Sequence, residues 1–260
     1  MKKPFATLAA ATFCLATLAG CVSTVAIETR VPDQTFKTDP VLRAQIHTER
    51  SAEYYRLGNL AVALEAAKQA TAANPSHAPA HNMLGIIYMQ LQDDAQAGQS
   101  FEQALRLLPN DSETLNNYGW FICQRQSATK AIPYFQAALK NPLYATPESA
   151  LYNSGVCWKK AGDLRAAEAQ FRIALQRQPR MADAMYELAD IEFVHGRVRE
   201  AEALLARHNQ LVQTPGADAL LLGAKIARNQ GDKSAESSYL QQLRRRFPDA
   251  IQTRQAGEIR

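Results

Sequence analysis

The chain has 260 residues, of which 47% are apolar and only 12 are glycines. This composition is typical of a folded domain and excludes a disordered or low-complexity chain. The formal net charge is +4 at pH 7, and it falls by two if Lys2 and Lys3 are removed with the segment described next. So small an excess of positive charge does not favour nucleic acid as a partner.

The first 20 residues predict a lipoprotein signal peptide. Two lysines precede an uncharged run from Phe5 to Ala19. This run is shorter than the roughly 20 apolar residues that a membrane-spanning helix needs, and it has the flanks of a secretory signal. The tetrapeptide Leu18-Ala19-Gly20-Cys21 resembles a bacterial lipobox, in which cleavage before the cysteine leaves it as the lipidated first residue. We therefore expect acyl chains on Cys21; the alternative is an ordinary signal peptide followed by an unmodified thiol.

The residues after Cys21 predict an anchor and a tether. By resemblance to lipoproteins of this type, an aspartate after the cysteine retains the protein at the inner membrane, whereas Val22 and Ser23 follow here. We therefore expect the mature protein at the outer membrane, held by its acyl chains and facing the periplasm. Residues 21–43 are predicted to be the lipidated amino terminus and a flexible tether, and the polar part up to Asp39 would span about 25 Å on average.

A 34-residue period runs through the rest of the chain. Small residues recur at intervals of 34, 34, 36, 34 and 34 in the series Ser51, Gly85, Gly119, Gly155, Ala189 and Gly223. Two further series keep these intervals: Ala63, Ala97, Ala131, Ala167, Ala201 and Ala235; and Ala67, Phe101, Phe135, Phe171, Leu205 and Tyr239. This period, with a small residue in the first half and alanine and an aromatic ring in the second, is the tetratricopeptide signature.

The repeats predict an all-α tetratricopeptide-repeat superhelix of six helical hairpins. Each hairpin has a helix A and a helix B, which cross where the small residues let their backbones approach, and stacked hairpins share one core. The longer interval lengthens a loop around residues 141–146, and the polar tail 249–260 is expected to be a frayed cap. The predicted repeats are 44–77, 78–111, 112–147, 148–181, 182–215 and 216–248.

The A helices are predicted to form a partner-binding groove. By resemblance to tetratricopeptide proteins, positions 2, 5, 9, 12 and 13 of each A helix line the concave face, and these offsets form one helical stripe. The amino-terminal half of this stripe is apolar and aromatic, which suits the anchors of a bound protein segment, and it turns basic at Lys159 and Lys160. The alternative is that Ile86 and Met89 only pack against neighbouring helices. The predicted groove residues are Tyr55, Asn82, Ile86, Met89, Asn116, Trp120, Gln124, Tyr152 and Lys159.

Two cysteines, Cys123 and Cys157, remain once Cys14 leaves with the signal peptide and Cys21 is acylated. An even pair in an oxidising compartment favours a disulfide, here between neighbouring A helices. Two alternatives stay open, a pair of buried free thiols and a metal or catalytic role. The two cysteines differ by two positions within their repeats, so a bridge also requires that their side chains face each other.

No catalytic, metal or cofactor site is predicted, and so no small-molecule substrate. His77 and His81 have the spacing of two ligands on one helical turn, but Pro79 lies between them and no acid completes a site. We expect both histidines to be structural. The run Arg244–Arg246 is expected on the solvated face of the last helix; the alternative is contact with an acidic partner or an anionic surface.

Two stretches carry a resemblance to a known family. Asn116–Cys123 reads NNYGWFIC and Asn153–Cys157 reads NSGVC. With the lipobox and six repeats, they resemble the PilF/PilW family of type IV pilus biogenesis lipoproteins over the whole mature chain. The resemblance implies a pilotin, which escorts secretin subunits to the outer membrane and promotes their assembly for pilus biogenesis and twitching motility. It also implies a cross-link between the two cysteines.

The predicted mechanism has two parts. Acyl chains on Cys21 hold the protein at the membrane, and the groove captures a secretin segment whose local concentration the tether raises. The alternative function is a tetratricopeptide lipoprotein that acts as a scaffold for periplasmic cell-wall enzymes. Both are interactions with proteins, and no enzymatic activity is expected.

Overall fold

The computed structural model describes residues 39–258, and all of its regular secondary structure is helical. The predicted signal peptide, Cys21 and most of the tether lie outside these residues. The thirteen helices are α1 (Pro40–Arg56), α2 (Leu60–Ala73), α3 (Ala78–Gln90), α4 (Asp94–Leu107), α5 (Ser112–Arg125), α6 (Ala128–Ala138), α7 (Pro147–Lys160), α8 (Leu164–Arg177), α9 (Ala182–Val194), α10 (Val198–Val212), α11 (Ala217–Gln230), α12 (Lys233–Arg246) and α13 (Ile251–Glu258).

The first twelve helices form six antiparallel hairpins. The odd-numbered helices are the A helices and the even-numbered ones the B helices. Each A helix packs on its own B helix, and each B helix packs on the A helix of the next repeat. Successive A helices also contact one another, and between α7 and α9 the contact includes ion pairs from Lys159. The predicted all-α architecture of six helical repeats is therefore confirmed.

Four of the six hairpins cross where an aromatic ring covers a glycine. A Cβ atom built on Gly155 would lie 2.6 Å from Cε1 of Phe171, and one on Gly85 would lie 2.7 Å from Cδ1 of Phe101. Both distances are far below ordinary carbon–carbon contact, so only a hydrogen fits under the ring. These phenylalanines are fully buried. The periodic glycines thus set how closely the two helices approach.

Two repeats make the same crossing without glycine. In the first repeat Ser51 is fully buried, and its hydroxyl donates to the carbonyl oxygen of Ala63 across the hairpin at 2.8 Å. In the fifth repeat Ala189 packs in a cluster with Leu205, which stands where four other repeats have a ring. A smaller or non-aromatic side chain on helix B therefore compensates for a larger residue on helix A.

The structure differs from the predicted boundaries at both ends. Helix α1 begins at Pro40, four residues before the predicted start, because the Asp39 side chain accepts a hydrogen bond from the Val41 backbone N–H at 2.9 Å. The tail predicted to be frayed contains helix α13, so that prediction was wrong. Ala256 of α13 is buried against α11 and α12. One buried residue in a polar segment is too weak a pattern to predict a helix from sequence.

A buried carboxylate joins the fourth and fifth repeats. Glu192 on α9 is fully buried and accepts hydrogen bonds from Arg172 on α8 and from Arg197. Arg197 also donates to Glu168 at 2.6 Å. Burial raises the pKa of Glu168, but hydrogen bonds from the two arginines outweigh it and hold that pKa below its usual value. The stabilisation from Glu168 is therefore present at neutral pH and is lost as the pH falls through the lowered pKa.

Enlarging the small residue on helix B should destabilise the stack. Ala97 is fully buried on α4, so Ala97→Leu should overpack the hairpin and lower the free energy of unfolding by about 1 to 3 kcal/mol. Urea unfolding followed by circular dichroism measures this. The matched control is Ala95→Leu, at an exposed position of the same helix, which should change stability by less than about 0.5 kcal/mol. Equal effects at the two positions would contradict the close-packed crossing.

Candidate protein-binding groove

Four of the predicted groove residues meet in one cavity of about 360 Å³. Tyr55 comes from α1, Ile86 and Met89 from α3, and Trp120 from α5, so three successive A helices build it. All four side chains are half-buried, which leaves part of each in contact with solvent. The cavity is completed by Gln90, Phe101, Asn117 and Arg125.

The packing of α5 explains how Trp120 reaches this cavity. Gly119 faces Phe135 in the crossing of the third hairpin, so the next residue lies beside the crossing. The indole packs against the core cluster that contains Phe101 and also lines the cavity. Ile86 and Met89 have both roles too, since they contact the same cluster and line the cavity. Ile86 and Met89 therefore pack against neighbouring helices and also line the cavity, so the alternative of packing alone does not describe them fully.

Arg125 forms one rim of the cavity. Its Nε lies 3.2 Å from Oδ1 of Asp94, and its guanidinium also donates to the backbone oxygen of Met89 at 3.2 Å. These contacts connect the end of α5 to α3 and α4. The ion pair is largely exposed, so it adds little to stability, but it holds a charged and planar group beside an apolar cavity. Sequence reasoning missed Arg125 because its offset lies outside the expected positions.

Two predicted groove residues, Asn82 and Asn116, are buried, although Asn116 also lines a second cavity beside residues 141–146. Oδ1 of Asn82 accepts a hydrogen bond from Asn117 at 3.2 Å, and Oδ1 of Asn116 accepts one from Asn153 at 3.0 Å. At the fifth position the amide therefore bonds to the next A helix, and little of its surface is left for a partner. The asparagines connect α3 to α5 and α5 to α7.

Gln124 and Tyr152 lie outside the apolar cavity. Gln124 is half-buried at the end of α5, with its side-chain nitrogen 4.0 Å from Sγ of Cys123. The Tyr152 ring packs against Phe171, with ring centres 5.8 Å apart. Burial, together with the carboxylates of Glu187 and Asp183, raises the pKa of Tyr152 to about 12. Its phenol is therefore neutral at physiological pH and can donate a hydrogen bond.

The carboxy-terminal half of the predicted groove is not a free basic surface. The Lys159 ammonium lies 2.7 Å from Oε2 of Glu187 and 2.6 Å from Oδ2 of Asp190. Burial lowers the pKa of Lys159, but hydrogen bonds to Asp190 and Glu187 outweigh it and raise that pKa above its usual value. The ammonium of Lys160 donates to the backbone oxygen of Cys123 at 2.9 Å. The predicted basic character is wrong at Lys159, because acids on the next A helix neutralise it, whereas Lys160 is exposed and has no acidic partner among the described ion pairs.

The structure joins Cys123 and Cys157 in a disulfide. The sulfur atoms are 2.06 Å apart and the Cα atoms 5.9 Å apart, and both residues are buried. The bond connects α5 to α7, which belong to the third and fourth repeats. The two residues are separated by 34 positions, whereas the interval between the third and fourth repeats is 36. The cysteines therefore occupy different positions within their repeats, and their side chains still face each other.

Among residues 39–258 no helix has the length and apolar character to cross a membrane. Within the same part of the chain, no three side chains of histidine, cysteine, aspartate or glutamate converge to hold a metal ion.

The hairpins and their cavity define the class of protein. Models of the tetratricopeptide repeat match residues 49–112, 159–211 and 218–250. These matches cover most of the helical stack and agree with the repeat positions in the structure. The chain is thus a tetratricopeptide-repeat protein, a class whose stacked helices present a binding surface for other proteins.

Comparison with individual proteins is more specific. The crystal structure of PilW, a widely conserved type IV pilus biogenesis factor, is 33% identical, with a TM-score of 0.75 over 82% of this chain and 97% of that one. The type IV pilus assembly protein PilF of Pseudomonas aeruginosa is 25% identical over 203 residues, which are 76% of this chain and 79% of PilF. The chain belongs to the PilF/PilW family of tetratricopeptide-repeat proteins of type IV pilus biogenesis.

Two further similarities are limited to the fold or to part of a protein. The solved structure of Pseudomonas aeruginosa PilF superposes with a TM-score of 0.79 at 21% identity, over 85% of this chain and 99% of that one, which shows the shared fold. The mouse aspartyl/asparaginyl beta-hydroxylase is 25% identical over 118 residues, 45% of this chain and only 16% of that protein. Because the match covers so small a part of the hydroxylase, it gives no reason to assign that enzyme's activity to this chain.

Removing the disulfide should destabilise the middle of the stack. The bridge closes a loop across 34 positions, and in the chain-entropy model such a bridge stabilises the fold by about 3 to 4 kcal/mol. The double variant Cys123→Ala, Cys157→Ala should lose that amount in urea unfolding. Wild-type protein treated with a reductant should behave like the variant, and the variant itself should not respond to the reductant. Oxidised and reduced wild type with equal stabilities would contradict this role.

Proposed function

We propose that the mature protein is an outer-membrane lipoprotein, a pilotin, that binds secretin subunits of the type IV pilus through its groove. It would direct these subunits to the outer membrane and promote their multimerisation. Family membership supports a role in type IV pilus biogenesis. The observation that carries the finer proposal is the cavity formed by Tyr55, Ile86, Met89 and Trp120 on three successive A helices.

The chemistry of this cavity suits a segment of another protein. Aromatic residues at the centre of an apolar depression are typical hot spots, where a partner buries one or two large side chains. Met89 can adjust to the shape of the entering group because its side chain is flexible and polarisable. The rim supplies polar groups from Gln90, Asn117 and Arg125, which can bind the backbone of the segment. A secretin segment with an apolar anchor is the occupant we propose.

The proposed lipid anchor would raise the local concentration of captured secretin subunits at the membrane. Several acyl chains on Cys21 would hold the protein at the membrane far better than a single chain. The tether between Cys21 and α1 would let the groove search a layer about 25 Å deep, where a captured subunit would be held near its site of assembly. The buried disulfide supports this placement because such bonds persist in oxidising compartments such as the periplasm.

Loss of the acylated residue should separate folding from function. We expect Cys21→Ser to leave the helical stack folded, as measured by circular dichroism and thermal unfolding, since Cys21 precedes all described helices. Secretin multimers should then be absent from the outer-membrane fraction, as detected by fractionation and immunoblotting. Normal multimers in this variant would count against the escort mechanism.

A charge in the cavity should prevent secretin capture. Ile86→Asp and Trp120→Asp should each reduce the secretin recovered in a pull-down from envelope extracts by at least about tenfold, because hot-spot truncations cost 2 kcal/mol or more. The control is Ile173→Asp, which adds the same charge at a 39% exposed apolar residue of helix α8, outside the cavity. Unchanged recovery with both cavity variants would refute the groove assignment. Recovery of cell-wall enzymes in place of secretin would favour the scaffold alternative.

A further inference from the structure

The last two helices carry a basic surface that lies outside the groove. The final turn of α12 contains Arg244–Arg246, and the short helix α13 adds Arg254. All four side chains are exposed. Between residues 237 and 257 the only acidic residue is Asp249. The Arg254 guanidinium donates to the backbone oxygen of this aspartate at 3.4 Å, and not to its carboxylate.

The described part of the chain does not neutralise these arginines. Among the ion pairs of residues 39–258, none includes Arg244–Arg246 or Arg254. The nearest glutamate before them, Glu236, is paired with Arg228. Lys159, by contrast, is neutralised by two carboxylates of the next A helix. A cation at the carboxyl end of a helix is favoured by the helix dipole, but this accounts for one such residue and not for four.

The end of the stack leaves this surface uncovered. In the first five repeats each B helix packs on the next A helix, whereas in the described chain α12 is followed by the 8-residue helix α13. Of the 14 residues of α12 only Leu243 is buried. Ile251, in the first turn of α13, is 55% exposed, and it lies on the same side of that helix as Arg254, three positions later. We call Arg244–Arg246, Ile251 and Arg254 the carboxy-terminal surface.

The directions of the guanidinium groups favour an extended anionic surface over a single acidic group. Successive residues of a helix point about 100° apart, so the side chains of Arg244–Arg246 diverge and do not converge on one carboxylate or phosphate. A plane that carries many anionic groups can bind diverging cations at the same time. An exposed aliphatic side chain among cations, as at Ile251, is typical of segments that lie in the headgroup region of a membrane.

We propose that the carboxy-terminal surface binds the anionic phospholipid headgroups of the membrane that holds the protein. This inference rests on the proposed lipid anchor, which would keep the surface within reach of that membrane. Near an anionic bilayer each arginine strengthens binding by about fivefold, and the effect falls off within a Debye length. A weak contact is sufficient because the anchor already confines the protein. The contact would hold the stack at a second point and so orient the groove relative to the membrane.

Arginine footprinting tests this contact residue by residue. The mature protein, purified in detergent, is reconstituted with vesicles of phosphatidylcholine alone or with about 30% phosphatidylglycerol, which makes them anionic. It is then treated with p-hydroxyphenylglyoxal, which modifies guanidinium groups, and analysed by mass spectrometry. On anionic vesicles Arg244–Arg246 and Arg254 should react at least about threefold more slowly than on neutral vesicles. Salt at about 0.5 M should abolish this difference by screening.

Two arginines in the same molecule serve as internal controls. Arg177 and Arg180 are exposed at the end of the fourth repeat, and they should react at equal rates on the two kinds of vesicle. Equal rates at Arg244–Arg246 on the two kinds of vesicle would overturn the proposal. An equal slowing at Arg177 and Arg180 would also overturn it, because a general electrostatic field would then explain the protection.

Substitutions show whether the surface binds as a unit. The triple variant Arg244→Gln, Arg245→Gln, Arg246→Gln should remove the protection of Arg254, because the remaining charge binds too weakly. All substituted side chains are exposed, so circular dichroism should match that of the wild type. The matched control should keep the protection of Arg254 if the position of the charge matters and not the net charge alone. This control removes the same charge from exposed positions of the fourth repeat, with Arg165→Gln, Arg177→Gln and Arg180→Gln.

The outcomes separate this inference from the proposed anchor. A protein that stays on neutral vesicles but shows no protection on anionic ones would keep the anchor and reject this inference. A protein that binds only to anionic vesicles, with Arg244–Arg246 protected, would reject the anchor and keep this inference. Protection that appears with envelope proteins and not with vesicles would overturn the proposal in favour of an acidic protein partner.

Discussion

The close approach of two helices under an aromatic ring determines the rest of this structure. Where glycine faces phenylalanine or tyrosine, no further carbon atom fits, so the distance and the crossing of each hairpin are fixed. The same ring also fills the core that the hairpin shares with its neighbours, as Phe101 does beneath the apolar cavity. The depth of the cavity and the crossing of the helices therefore have one origin. A change at the crossing would move the groove as well as weaken the fold.

Polar contacts then hold each A helix in register with the next. Asn117 bonds to Asn82 and Asn153 to Asn116, while Lys159 reaches two carboxylates of the following A helix. Hydrogen bonds are directional and leave buried groups unsatisfied if the helices slide, so they specify one alignment where apolar packing alone would tolerate several. The groove depends on this alignment because its residues come from different repeats.

The sequence predicts best what is decided within one repeat. The glycine, alanine and aromatic series report contacts inside a hairpin, and they led to six hairpins. Ile86, Met89 and Trp120 then followed from the groove positions that the resemblance to tetratricopeptide proteins implies. Contacts between repeats join residues far apart in the chain, and no local pattern reports them. Thus the neutralisation of Lys159 by residues 28 and 31 positions away was not foreseen, nor was the burial of Asn82. Helix α13 was not predicted for a different reason: a single buried alanine, Ala256, packs it against the stack.

The position of the disulfide has a consequence for how the molecule opens. A stack in which each hairpin touches only its neighbours can fray from either terminus, and each lost repeat exposes the next. A covalent bond between the third and fourth repeats interrupts this progression in the middle, beside the cavity that uses α5. Thermal fluctuations at the two ends would then be uncoupled from each other. In the oxidised protein, unfolding that begins at either terminus would therefore stop at the third and fourth repeats, which the disulfide holds together.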